Sequence, residues 1–130
     1  EKRTQYESGQ AASLLSTMCL IHVTDVSITT TQKQQTRGLM QVRSLAEHTG
    51  MLFIYPEERI RAMWMKNTYI PLDMLFIKAD GQISSISKKT EPLSLKTIRS
   101  EEPVKYVLEL AGGVSDDLGL QKNDQILILN

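Results

Sequence analysis

The stretch Met63-Trp-Met-Lys-Asn-Thr-Tyr-Ile-Pro-Leu-Asp73, running on into Met74-Leu-Phe-Ile77, decides how this chain is read. It places the only tryptophan, two methionines, Lys66, Asn67, Thr68 and Asp73 between two apolar runs. That mixture is too apolar for a plain surface loop and too polar for a plain core strand, so polar groups are expected to be held against an apolar surface. Read as extended backbone, it alternates Trp64, Lys66 and Thr68 on one face with Met63, Met65 and Asn67 on the other. Pro71 has no N–H to donate and ends regular pairing. The near-continuous apolar run Leu72-Asp-Met-Leu-Phe-Ile77 then reads as a strand buried on both faces.

Beyond it, Asp80-Gly81 favours the φ > 0 turn of a two-residue hairpin, with Gln82 to Ser87 as a partly exposed partner strand. Lys88 to Glu102 is polar, contains Pro92 and reads as an extended crossing loop. Val104 to Leu110 returns to strand, with Glu109 on the face of Val107. Ser115 and Asp116 can open a single-turn helix that Gly119 closes, and Gln125 to Leu129 is the last strand.

Before the opening stretch, residues 1–13 are polar and aperiodic, which predicts a loose leader ahead of one domain over 14–130. Leu14 to Thr29 is β-branched and changes phase near Thr24-Asp25, as two strands or one bulged strand would. Thr31-Gln-Lys-Gln34 has the form of a capping box and predicts a helix to about Val42, with Gly38 marking close packing or a break. Gln32, Lys33 and Gln35 are expected in water. Gly50 to Tyr55 is a compact strand that Pro56 should end, followed by a charged loop, Glu57 to Arg61.

The 130 residues suit one domain with one core. Fifteen basic and fifteen acidic residues cancel, so no global field draws nucleic acid or an anionic membrane, and no apolar run approaches the roughly 20 residues that span a bilayer. Cys19 is single, and with His22 and His48 it makes no structural zinc set; no metal or cofactor is expected. Met63 and Met65 could offer thioethers to copper, but packing is the stronger reading.

With these elements placed, the order of motifs resembles a bacterial and archaeal family named only as domain of unknown function 192. The matching residues are Arg37-Gly-Leu-Met40, Gly50-Met-Leu-Phe53, Trp64-Met-Lys-Asn-Thr68, Ile70-Pro-Leu-Asp73, Asp80-Gly81, Tyr106-Val-Leu-Glu109, Gly113, Gly119-Leu120 and Asp124. Departures are small: Thr31-Gln32-Lys33 replaces a usual Thr-Pro-Glu, Met63 replaces an aromatic, and Asn123-Asp124 replaces Gly-Asp. The resemblance implies a mainly antiparallel, barrel-like β fold with short helices and no settled activity. Export signals are common in the family, so a periplasmic or secreted location is expected; the first residue here is Glu rather than Met, as in a processed product.

The fold class expected is therefore mainly β (α+β), a partly open antiparallel barrel with two or three short helices. Three functional readings stay open. The first is a pocket for a small polar or anionic ligand, or a peptide, with Trp64 as an aromatic wall and Arg37, Lys66, Asn67, Thr68, Asp73 and Glu109 as polar groups. The second is a hydrolase-like enzyme using Lys66 and Asp73. The third is a structural charge network pairing Lys66 with Asp73 and Arg37 with Glu109.

Overall fold

The alternation that marks the buried strands also builds the sheet. In a computed structural model, which describes residues 11–16, 22–45 and 49–129, nine strands and two short helices follow in the order β1 Ala11–Ser16, β2 His22–Thr29, α1 Gln32–Arg37, β3 Gly50–Arg59, β4 Ala62–Met63, β5 Leu72–Ile77, β6 Ile83–Ser87, β7 Ile98–Arg99, β8 Val104–Ala111, α2 Val114–Asp117 and β9 Ile126–Leu129. Seven strands form one sheet in the order β6-β5-β8-β3-β2-β1-β9, while β4 and β7 make a small second sheet. The two edges of the large sheet come together. Gln82 bridges Gln125, and the Ile126 and Ile83 N–H groups donate to Gly81 and Asp124. The result is a partly open barrel, as the sequence predicts.

One pairing departs from the antiparallel expectation. β2 and β3 run parallel, Val26 opposite Gly50 through Thr29 opposite Phe53, because α1 and the segment after it carry the chain back across the sheet between them. The capping box forms as read: the Thr31 hydroxyl accepts from the Gln34 N–H at 3.1 Å, and the Gln34 carbonyl oxygen of the side chain accepts from the Thr31 N–H. The helix ends at Arg37, five residues before the expected Val42. Gly38 ends it at φ +47°, where an added Cβ would lie 3.2 Å from the Phe53 ring. Break and close packing are the same event at this glycine.

Two further boundaries need correction. Pro56 does not end β3, which runs to Arg59. The register with β8 slips between Ile54 and Arg59, so the proline falls where no ladder bond is made. The first strand starts at Ala11, inside the expected leader; residues 1–10, Cys19 and His48 lie outside the described residues. The phase change at Thr24-Asp25 is the bulged strand the sequence allows: β2 runs through it, and the register with β1 shifts there, from Ala12 opposite Val26 to Leu14 opposite Val23.

The sheet separates two apolar layers. Leu52, Leu75, Ile77, Ile83, Leu108, Leu110 and Ile126 fill the inside of the curl with Val114 and Leu120. Met51, Phe53, Leu72, Met74, Phe76 and Val107 form the outer layer, covered by Leu39, Val42 and Met65. This second layer holds the site.

Candidate functional site

Register decides which polar groups can meet. Within the β5/β8 ladder Asp73 faces Leu110, and Met74 faces Glu109, so the two carboxylates project from opposite faces of the sheet. They cannot converge.

Asp73 belongs to the inner side and is fully buried. Its carboxylate accepts from the Lys89 N–H at 2.9 Å, the Gly113 N–H at 3.1 Å, the Ser115 N–H at 2.9 Å and the Ser115 hydroxyl at 2.6 Å. Burial pushes its pKa up, but these bonds together outweigh burial and hold it below the ordinary carboxylate value. Asp73 therefore ties the β8–α2 turn to the segment after β6. It has no bond to Lys66, so neither the Lys66–Asp73 ion pair nor the hydrolase-like pairing of these two residues is assembled.

Glu109 is on the outer layer, between Met51 on β3 and Met74 on β5. It is 3% exposed, and its side chain makes no hydrogen bond or ion pair among the described residues. Burial raises its pKa to about 8, so at neutral pH it is a neutral carboxylic acid, able both to donate and to accept. The expected Arg37–Glu109 ion pair is absent: Arg37 stays exposed at the surface, and burial alone governs the carboxyl.

Above Glu109 lies a cavity of about 300 Å³. Gln32, Gln35, Thr36 and Arg37 of α1 line one side, and Gly38, Leu39 and Met40 continue that wall; Phe53 and Tyr55 of β3 form its base beside Glu109, and Met63, Trp64, Lys66 and Thr68 close the far side. The helix is pinned over the sheet by the Gln35 side-chain amide, which donates to the Ile54 carbonyl at 2.9 Å. Gln35 is thus half-buried rather than in water.

Tyr55 stacks on Phe53 with ring centroids 6.5 Å apart, and the Arg61 guanidinium sits 3.9 Å from the Tyr55 ring centre. Burial pushes the Tyr55 phenol up to about 12, against the lowering effect of Arg61, with a further rise from charge on Glu109. It remains a hydroxyl, donating weakly to the Met63 thioether at 3.7 Å. Met65 is elsewhere: it is buried, with the Thr90 hydroxyl 3.1 Å from its sulfur. The two thioethers face different partners, in keeping with packing.

The central pentapeptide is a turn rather than a strand. The Thr68 N–H donates to the Met65 carbonyl at 3.1 Å, the Thr68 hydroxyl donates to the Lys66 carbonyl at 3.1 Å, and Asn67 takes φ +54°. The turn bends Lys66 back over Trp64, with its ammonium 5.0 Å from the ring centre. Asn67 does not line the cavity; its carbonyl accepts from the Gln41 N–H at 2.7 Å and braces the loop after α1.

Of the seven residues singled out in the sequence, the fold brings Arg37, Trp64, Lys66, Thr68 and Glu109 around one cavity and leaves Asn67 and Asp73 outside it. Gln35, Thr36, Phe53, Tyr55 and Met63 also line it, and the sequence does not single them out as site residues. The signal for Phe53 and Tyr55 lay in the strand period, which puts Met51, Phe53 and Tyr55 on one face.

A structure of a candidate transcription regulator from Sinorhizobium meliloti 1021 is 41% identical, covering 91% of this chain and 92% of that one, with a TM-score of 0.85. A protein of unknown function from Novosphingobium aromaticivorans is 26% identical, covering 90% and 83%, with a TM-score of 0.83. Among curated proteins, none matches. The family model of DUF192, described as uncharacterized ACR, matches residues 15–128, and the chain belongs to that family.

Proposed function

We propose that the cavity over Glu109 binds a small anionic molecule. Its anionic end sits between Arg37 and Lys66 at the mouth, a flat or apolar body lies against Trp64 and Phe53, and a neutral acceptor meets the Glu109 carboxyl. The observation that carries this reading is Glu109 itself. A buried carboxyl without a partner costs the fold about 1–3 kcal/mol or more, and a packed barrel has no structural use for it in an otherwise apolar layer. A ligand group would satisfy it.

The volume, at the small end for ligand pockets, supports a small molecule over a peptide segment. The balanced charge supports a metabolite over nucleic acid, notwithstanding the regulator description of the Sinorhizobium protein. An exported location, periplasmic or secreted, is part of the proposal and rests on the family resemblance.

Thermal unfolding against a panel of aromatic and short-chain carboxylates tests the reading. Binders should raise the wild-type Tm, and the combined Arg37→Ala and Lys66→Ala changes should remove the shift without lowering the unliganded Tm by more than a degree or two, because both side chains are exposed. A panel that never moves the wild type, or that moves the double variant equally, refutes it.

A further inference from the structure

Of the large apolar side chains most exposed among the described residues, Trp64, Tyr69, Leu93 and Leu95 lie on two adjoining loops, at 45%, 42%, 55% and 67% exposure. The loops are tied side by side: the Met65 N–H donates to the Ser94 carbonyl at 3.1 Å and the Leu93 N–H to the Thr68 carbonyl at 3.0 Å. A third loop joins them where the Gln41 N–H meets the Asn67 carbonyl. Surface leucines scattered singly need no explanation, but a cluster confined to one end of the molecule does.

Three details say the exposure is built in. Leu93 is held at φ +64°, a left-handed conformation that a branched side chain adopts only under constraint and that Asn or Gly would take with less strain. Its two neighbours in the cluster turn on left-handed residues as well, Asn67 at +54° and Gln41 at +65°. Each exposed aromatic also carries a cation on its ring: Lys66 over Trp64 at 5.0 Å, and Arg43 over Tyr69 at 5.5 Å. Lys96 follows Leu95 directly, and in sequence the three loops, residues 38–49, 64–71 and 88–97, carry Arg43, Lys66, Lys88, Lys89 and Lys96 against Glu47 and Glu91.

We infer that this end of the barrel docks on an anionic lipid bilayer, with Leu93, Leu95 and Trp64 entering the interface and Arg43, Lys66 and Lys96 meeting headgroup phosphates. The charge pattern selects this occupant. The chain as a whole is neutral, so it has no long-range attraction to a membrane, yet these three loops carry five cations against two carboxylates in sequence. Trp and Tyr paired with cations at the edge of aliphatic side chains is the arrangement that suits the headgroup level, where one end of each ring is dry and the other wet. Lysines are depleted from protein–protein interface cores but contribute about 1 kcal/mol each beside an anionic leaflet. Trp64 and Lys66 also stand at the mouth of the Glu109 cavity, so docking would turn that mouth toward the bilayer.

Trp64, the only tryptophan, reports directly on the test. The protein is mixed with vesicles of phosphatidylcholine alone and of equal parts phosphatidylcholine and phosphatidylglycerol. The inference expects a blue shift of Trp64 emission and co-sedimentation with the anionic vesicles only, both suppressed by high salt. Lys66→Ala and Lys96→Ala should each lower partitioning about fivefold. Leu93→Asn is the discriminating variant, because it relieves the left-handed backbone and so keeps or raises Tm while weakening vesicle binding. Unchanged Trp64 emission with anionic vesicles overturns the inference, as does full binding by the Leu93→Asn, Leu95→Asn double variant. A concentration-dependent dimer in sedimentation velocity that the same double variant dissolves also overturns it, by assigning the patch to a second copy of the chain.

Discussion

Replacing Glu109 by Gln keeps the shape of the side chain and removes its titration, and the consequence depends on pH in a calculable way. Folded, Glu109 holds its proton up to about pH 8; unfolded, it releases it near its ordinary value of 4.5. Below pH 4.5 both states are protonated and the group is neutral in the balance. Between 4.5 and 8 the unfolded chain binds fewer protons than the folded one, so wild-type stability falls as pH rises, by about 1.4 kcal/mol per unit at most. Above pH 8 the loss is complete and the curve is flat. The glutamine variant has no such slope. From pH 5 to pH 8 it should gain on the wild type by up to about 4 kcal/mol, a large share of the 5–15 kcal/mol that holds a domain of this size. Urea unfolding at pH 5, 6, 7 and 8, followed by Trp64 emission, measures the gap while every other titration cancels between the two proteins. Equal slopes in urea would show that the unfolded state is the same. Parallel stability profiles, or a variant less stable than wild type at pH 8, would refute the argument that Glu109 is buried, unpartnered and kept at the expense of the fold.

Other changes separate structure from binding. Asp73→Asn should destabilise by about 3 kcal/mol or more, because it disturbs four buried donor contacts at once, and it should leave cavity ligands untouched. Because Asp73 titrates below its ordinary value when folded, the stability its charge supplies is present above about pH 4 and lost as pH falls through the lower folded value, so the gap in urea midpoint between wild type and Asp73→Asn should be widest above about pH 4 and narrow below it. Gly38→Ala should cost about 1–2 kcal/mol from its positive φ and the approach of Cβ to Phe53, and should weaken ligand binding by shifting the cavity wall, read by denaturation and titration side by side. Thr31→Ala should cost about 1 kcal/mol through the lost cap of α1, visible as a lower urea midpoint.

The strands were legible because their period was strong. Leu72 to Ile77 buries every residue, and the Thr31 cap stands where its spacing put it. The parallel β2/β3 pair was not legible, since nothing local distinguishes a strand that turns back from one that crosses over a short helix. Pro56 misled for a related reason: it ends a strand only if its N–H is needed, and the slip between Ile54 and Arg59 removes that need. At the site, the residue types were readable and their meeting was not. Asp73 and Glu109 look equivalent in sequence, two carboxylates in apolar strands, yet register sends one to the inner layer with four donor contacts and the other to a cavity with none. Lys66 and Asn67 resisted reading as well, because alternation assumes extended backbone and a left-handed Asn67 turns the chain there.

Two-dimensional amide NMR of labelled protein, titrated with the carboxylate panel at pH 6.5, tests at residue level whether the cavity over Glu109 is a binding site. Saturable shifts are expected at Arg37, Gly38, Phe53, Tyr55, Lys66 and the Trp64 indole, with their loss in Glu109→Ala. Shifts gathered instead around Asp73, Gly113 and Ser115, or no saturable shift with any member of the panel, would contradict it.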